Sequence, residues 1–133
     1  PYTSSAASDV YKRQEHDGPS MALLVRTDLN LSSGKVAVQC AHAAVNCALI
    51  ARKSEPRIME RWQANGARKI CLAIEDVSEI KSIMAKAKSA GLIAYLVKDA
   101  GHTEVTAGTI TVLGIGPGPR NSIDALVGEL KPY

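Results

Sequence analysis

Four polar side chains recur at helical spacing inside a stretch that is otherwise apolar. They are Lys35, Gln39, His42 and Asn46, and the other residues from 36 to 50 are Val, Ala, Cys, Leu and Ile. On a helix the four fall within an arc of about 60°. They offer hydrogen-bond donors, a positive charge and a titratable ring, and the stripe holds no carboxylate to pair with the lysine. Such a stripe suits an anion: a phosphate, or the oxyanion of an acyl-transfer reaction.

Two interpretations of this polar stripe stay open, and both start from a helix that is predicted to be buried nearly all round. An ordinary surface helix has a modest apolar stripe and a broad polar face, whereas here the proportions are reversed. The stripe either lines a cleft or is the one solvated side of a central helix. Lys35 favours the cleft, because a cation beside the backbone N–H groups of a first turn makes a good anion site.

A second group of polar residues, Asp99, His102 and Thr103, directly follows a predicted strand. In open α/β sheets, ligands bind outside the carboxyl ends of strands. A carboxylate and a hydroxyl at that position are therefore candidates for chemistry. The alternative is structural: Asp99 caps a turn and Thr103 is a loop hydroxyl. His102 is interpreted as either solvated or a phosphate contact.

A glycine-rich block, Gly-Ile-Gly-Pro-Gly-Pro, spans residues 114–119. Its glycine density is that of a phosphate-binding loop, but it matches neither common glycine motif, and its two prolines lack N–H donors. A rigid turn from strand to helix is the favoured interpretation. The sequence shows no nucleophile elbow and no paired-histidine zinc motif. These motifs by themselves indicate only a small α/β protein with an anion-friendly cleft.

The elements that must position these residues alternate from Met21 onward. The pattern predicts strands over residues 21–26, 69–75, 92–97 and 109–115. It predicts helices over residues 34–53, 54–65, 76–90 and 121–130. Ser32 or Ser33, Asp76 and Asn121 are predicted helix caps. Short apolar strands separated by helices predict an α/β three-layer sandwich, with a four-stranded, mixed and mostly parallel sheet flanked by helices.

Composition and charge agree with one folded domain. Of 133 residues, 46% are apolar and 22% charged, and Phe is absent, so the core must be aliphatic. Residues 1–20 are polar and aperiodic; we expect a disordered leader or a cloning or sequencing remnant there, and one domain over 21–133. The net charge is +3, and 14 Lys/Arg against 10 Asp/Glu leave +4 for residues 21–133. This charge is compatible with a polyanionic partner, but far from that of a histone-like tail.

The three cysteines, Cys40, Cys47 and Cys71, lack zinc-ligand spacing. We interpret all three as small buried hydrophobic residues of a protein in a reducing compartment, and we expect no metal. No apolar run reaches the ~18 residues that a membrane span needs. The start has no secretory signal pattern. The sequence therefore predicts a cytoplasmic protein without a membrane span.

Four segments together closely resemble the type II peptidyl-tRNA hydrolase family of archaea and eukaryotes. They are residues 25–29, 34–44, 99–103 and 111–119, and the resemblance runs from Met21 to Tyr133. It implies a compact α/β domain, commonly dimeric, that needs no metal or other cofactor. The implied reaction is hydrolysis of the ester that joins a nascent peptide, or an N-blocked amino acid, to the 3′ ribose of tRNA. This reaction recycles tRNA from aborted translation.

The resemblance maps the family's active-site residues onto Lys35, Gln39, Asp99 and Thr103, which the spacing arguments had also selected. The hypothesis is that Asp99 deprotonates an attacking water positioned by Thr103, while Lys35 and Gln39 stabilise the oxyanion. The predicted substrate-binding residues are His42, Asn46, His102, Arg26, Lys98 and Arg120.

The chain departs from the family pattern at three positions. Ser33 stands where some family members carry a second lysine, and Ala41 stands where many have serine. His102 stands where arginine is familiar. Two alternative functions stay open at this point. One is a non-catalytic RNA-binding or adaptor protein on the same scaffold, which the serine at 33 invites. The other is a hydrolase of a different ester or amide.

Overall fold

The computed structural model describes residues 18–101 and 105–133, which form four strands and four helices. In chain order they are β1 (Ser20–Arg26), α1 (Ser33–Ser54), α2 (Pro56–Ala64), β2 (Lys69–Ile74), α3 (Val77–Ser89), β3 (Ala94–Lys98), β4 (Ile110–Gly118) and α4 (Arg120–Val127). The strands form one sheet in the order β2-β1-β4-β3. The predicted succession of elements is confirmed.

The sheet is mixed, as predicted, but it is not mostly parallel. β1 and β2 pair in parallel, and β4 is antiparallel to both of its neighbours, β1 and β3. The reason is the short connection between β3 and β4, which spans residues 99–109. A parallel pair needs a crossover of a dozen or more residues, whereas a short connection returns the chain in the opposite direction.

The two faces of the sheet support two separate hydrophobic clusters. Ala22 and Leu24 of β1 point into the cluster that contains residues of α3 and α4. Leu23 and Val25 alternate with them and point into the cluster beneath α1 and α2. A strand with both faces covered is uniformly apolar, as β1 is. The predicted α/β sandwich of three layers, with an aliphatic core, is therefore confirmed.

Two helix caps form where the sequence predicted them. The Ser32 Oγ accepts a hydrogen bond from the Lys35 N–H at 3.2 Å, which begins α1. The Asp76 Oδ1 accepts from the Glu79 N–H at 3.0 Å, which begins α3. The prediction for Asn121 was wrong, because α4 begins at Arg120 and its N-cap position is occupied by a proline.

Helix α1 has one buried stripe instead of the predicted burial nearly all round. Its buried residues are Val36, Gln39, Ala43, Cys47 and Ala51. Val38, Val45 and Leu49 are each about half exposed, at 51%, 56% and 49%. The prediction was wrong because an outer layer of a sandwich has neighbours on one side only. Among the described residues α1 is also the one helix long and apolar enough to cross a membrane by length and composition, a test that core helices pass as well.

A close approach between α1 and the sheet explains the small residues of the buried stripe. A Cβ atom on Gly114 of β4 would lie 2.7 Å from the Cys47 Sγ and 3.2 Å from the Ala43 Cβ. Strand β4 continues through Gly118, so most of the block predicted as a turn lies in the strand. Gly116 has φ +103°, and a Cβ there would lie 2.6 Å from the Ser20 backbone oxygen. These glycines allow backbone and helix to approach closely.

Candidate active site

An ion pair joins the first turn of α1 to the end of β3. The Lys35 Nζ lies 2.5 Å from the Asp99 Oδ2, and their side chains are 13% and 1% exposed. The cap at Ser32 sets where the helix begins and thereby places Lys35 in its first turn. Packing of α1 across β3 and β4 then brings the lysine to the carboxylate. Two residues from distant parts of the sequence thus share one buried contact.

The Asp99 carboxylate and backbone are held from several directions. Its Oδ1 accepts a hydrogen bond from the Gly101 N–H at 2.6 Å. Its backbone N–H donates to the Thr109 oxygen, and its own carbonyl accepts from the Gly108 N–H. Asp99 therefore caps a turn, as the structural alternative predicted, and its carboxylate also faces the Lys35 ammonium group. Charge-assisted contacts on both oxygens stabilise the ionised carboxylate in its buried position.

Gln39 lies one turn after Lys35 and is almost fully buried, with 2% of its surface exposed. Its Nε2 donates to the Thr111 Oγ1 at 2.8 Å. The Thr111 hydroxyl in turn approaches the Val97 carbonyl oxygen at 3.4 Å. This relay connects α1 with β4 and β3 and fixes the orientation of the amide. Thr111 was not among the predicted site residues, although a hydroxyl within an apolar central strand indicates a buried hydrogen bond.

The Thr111 relay leads to a prediction about stability. Thr111→Val should lower the free energy of unfolding by about 1–3 kcal/mol, because the buried Gln39 amide would lose its acceptor. Thr111→Ser keeps the hydroxyl and serves as the matched control, with a smaller loss. Urea unfolding followed by circular dichroism measures both variants. A valine variant as stable as the wild type would show that the relay contributes nothing.

The second half of the polar stripe, His42 and Asn46, lies away from the Lys35–Asp99 ion pair. His42 is exposed, and the Asn46 Nδ2 donates to the His42 backbone oxygen at 2.8 Å. At 1.5 Å per residue, these residues lie about 10 and 16 Å along the helix from Lys35. The beginning of the stripe therefore meets Asp99, its continuation is a solvated side of α1, and the cleft remains a prediction.

Two of the predicted phosphate contacts lie at the same edge of the sheet as Asp99. Lys98 precedes it and is exposed. Arg26 ends β1, and its guanidinium pairs with Asp28 at 2.7 Å and donates to the Ile110 oxygen at 2.9 Å. The hydrogen bonds to Asp28 raise the pKa of Arg26 and lower that of Asp28. Lys98 is thus the more available cation for a phosphate.

Arg120 lies at the opposite edge of the sheet. It lies two residues after the end of β4, whereas Asp99 lies near the beginning of that strand, and nine strand residues span about 30 Å. Its guanidinium pairs with Asp124 at 3.7 Å on α4. The structure therefore does not bring Arg120 to the Lys35–Asp99 pair. The directions of the strands decided this, and they could not be obtained from the sequence pattern.

Thr103 and His102 lie outside the described residues, so their predicted roles remain predictions. In residues 18–101 and 105–133 the structure shows no group of three or more His, Cys, Asp or Glu side chains arranged to hold a metal ion. The described part of the site offers an ammonium group, a buried carboxylate and an oriented amide. A carboxylate can take a proton from water, and an ammonium group and an amide can stabilise a developing oxyanion.

Comparison with known sequences identifies the family that this chain resembles. A model of the family described as peptidyl-tRNA hydrolase PTH2 matches residues 19–133. The chain is 44% identical over 113 residues to the probable peptidyl-tRNA hydrolase 2 of Schizosaccharomyces pombe, covering 85% of this chain and 55% of the yeast protein. It is 42% identical over 113 residues to the human protein named peptidyl-tRNA hydrolase 2, mitochondrial, covering 85% of this chain and 63% of the human one.

An archaeal relative is matched along nearly its whole length. The peptidyl-tRNA hydrolase of Thermoplasma acidophilum is 40% identical over 111 residues, which is 84% of this chain and 95% of the archaeal one. The chain spans little more than half of the yeast relative and about three fifths of the human one, so those proteins contain segments outside the match. Since the family model covers nearly all of the described residues and the buried Lys35–Asp99 pair lies within it, this chain belongs to the peptidyl-tRNA hydrolase PTH2 family.

Proposed function

We propose that this chain hydrolyses the ester bond between a peptide, or an N-blocked amino acid, and the 3′ ribose of tRNA. The observation that carries the proposal is the buried ion pair between Lys35 and Asp99 beside the oriented amide of Gln39, in a chain of this family. The relatives are named as peptidyl-tRNA hydrolases, and the charges at this edge of the sheet suit a substrate with an ester next to phosphates.

In the proposed reaction, a water oxygen attacks the ester carbonyl carbon while Asp99 accepts a proton from that water. Lys35 and Gln39 stabilise the oxyanion of the tetrahedral intermediate, since an ammonium group and an amide N–H both donate to a developing negative charge. The intermediate collapses by breaking the bond to the ribose oxygen, which takes up the proton held by Asp99. Thr103 is proposed to position the water.

Binding of the tRNA body is proposed to rest on phosphate contacts. Lys98 is exposed and lies next to Asp99, and Arg26, at the end of β1, donates to the Ile110 oxygen at the start of β4. His42, Asn46 and His102 are proposed to contact the acceptor end of the tRNA. Arg120 is left out of this contact set because α4 begins at the other edge of the sheet.

A direct assay tests the proposed activity. Purified protein should release the N-acetylated amino acid from N-acetyl-aminoacyl-tRNA in buffer that contains EDTA, because none of the proposed steps uses a metal. The KM should rise steeply with salt, since phosphate contacts release counterions, with log K falling by ~0.9 for each phosphate per decade of salt. Binding of tRNA without turnover would instead identify an adaptor, and hydrolysis of small acyl esters with indifference to tRNA would identify a different hydrolase.

We also propose that the chain forms a homodimer and works in the cytoplasm. An exposed apolar surface on α1, formed by Val38, Val45 and Leu49, supports the dimer, because an apolar patch on one face of a helix is typical of a contact between proteins. The cytoplasmic location stays a prediction, since the human relative carries a mitochondrial name.

A further inference from the structure

Two of the three cysteines lie side by side at the surface. Cys40 is on α1 and Cys71 is on β2, and their Sγ atoms are 4.0 Å apart. Cys71 is exposed and Cys40 is partly buried, whereas Cys47 is fully buried. The prediction that all three are buried hydrophobic residues therefore holds for Cys47 and is wrong for Cys71. The reason is that Cys71 lies on the edge strand of the sheet, where cover from the helix layer is incomplete.

We propose that Cys40 and Cys71 form a reversible disulfide when the protein meets an oxidant of the peroxide class, and that this bond links α1 to the edge strand β2. The Cys71 thiolate attacks one peroxide oxygen, which forms a sulfenic acid, breaks the O–O bond and releases water after protonation. The Cys40 sulfur then attacks the Cys71 sulfur, the S–O bond breaks, and a second water leaves with the Cys40 proton. The two thiols lose two electrons and the peroxide gains them.

The geometry brings the two sulfurs nearly to bonding range. A disulfide needs an S–S distance of about 2.05 Å, so the sulfurs must close by about 2 Å. The side chain of Cys71 is exposed, and its exposure admits the oxidant. No second molecule is needed to supply the partner thiol.

The two thiols also differ in a way that assigns their roles. The hydrogen bond between them lowers the pKa of Cys71 to about 7 and raises the pKa of Cys40. A thiol with a pKa near ambient pH is the best placed to attack, which makes Cys71 the group oxidised first and Cys40 the group that resolves it. Burial raises the pKa of Cys47 to about 12, so that thiol stays protonated and out of reach.

The bond would also stabilise the folded domain. The linked residues are separated by 31 positions, and the loop that they close contains all of α2. A crosslink of this length raises the folding equilibrium constant by on the order of 10²- to 10³-fold, through loss of freedom in the unfolded chain. Oxidation should therefore raise the melting temperature of the whole domain.

Mass spectrometry of the full chain tests the proposal without any tRNA, so the result is independent of the proposed hydrolysis. Reduced protein is treated with hydrogen peroxide, denatured and alkylated. The expected product is a monomer that has lost two hydrogen atoms, takes up one alkyl group, on Cys47, and yields a crosslinked peptide containing Cys40 and Cys71. Dithiothreitol should restore three alkylated cysteines.

Single-residue variants identify which two cysteines form the disulfide. Cys71→Ser and Cys40→Ser should each abolish the crosslink and the rise in melting temperature, whereas Cys47→Ala should keep both. Cys71 is exposed, so its serine variant keeps the fold even if the variant at 40 does not. Three results would overturn the proposal: a disulfide between two chains, a crosslink that includes Cys47, or further oxidation of Cys71 while Cys40 remains open to alkylation.

Discussion

Lys35→Met is expected to slow hydrolysis of N-acetyl-aminoacyl-tRNA by at least about 10²-fold and to destabilise the fold by about 3 kcal/mol. The rate falls because the oxyanion loses its charged donor. The fold is destabilised because the Asp99 side chain, only 1% exposed, would stay buried without its cation. Asp99→Asn should abolish most of the turnover as well, since an amide cannot accept the proton from water.

The double variant Lys35→Met/Asp99→Asn separates these two effects. Replacing both members of a buried ion pair by neutral groups removes the uncompensated charge, so at least half of the lost stability should return. Turnover should not return, because both chemical groups are gone. Stability is measured by urea unfolding and the rate by single-turnover hydrolysis.

Two controls accompany this cycle. Lys88→Met makes the same replacement at an exposed position of α3 and should change stability by less than about 0.5 kcal/mol. Lys35→Arg retains the charge and should retain most of the stability. Single variants that hydrolyse the substrate at the wild-type rate, or a double variant that regains turnover, would refute the assignment of this pair as the catalytic centre.

Gly114→Val should destabilise the domain by about 2–3 kcal/mol, with the whole effect arising from contact between α1 and the sheet. Even the first carbon of a side chain at this position would lie 2.7 Å from the Cys47 Sγ and 3.2 Å from the Ala43 Cβ. Helix α1 would have to move outward, and Lys35 and Gln39 would move with it. Hydrolysis should therefore fall together with stability.

A paired substitution identifies the clash. Gly114→Ala combined with Cys47→Ala removes the closest atom and should recover part of the stability that Gly114→Ala loses alone. Gly34→Ala is the matched control, since a Cβ there has nothing within 4 Å and should be neutral or slightly stabilising. Thermal melts compare all of these proteins. A valine at 114 that melts with the wild type would mean that the helix lies farther from the sheet than described.

The elements of this protein could be read from the sequence because their signals are local. A hydroxyl at Ser32 and a carboxylate at Asp76 begin helices within one turn of themselves. Apolar runs marked the strands, since strands covered on both faces are uniformly apolar. Lys35, Gln39 and Asp99 were selected by helical spacing and by position after a strand, and the structure joins Lys35 to Asp99. The role of Thr103 remains a prediction.

Other features depend on which elements become neighbours, and no local pattern contains that information. Because β4 runs antiparallel to β1 and β3, Arg120 lies at the far edge of the sheet and Thr111 lies beneath Gln39. Only one side of α1 is covered, so Val45 is exposed although most residues of that helix are apolar. By itself the sequence determined the elements and the chemical groups of the site; the tertiary structure decided which groups meet, because contacts between distant residues follow from strand order and packing.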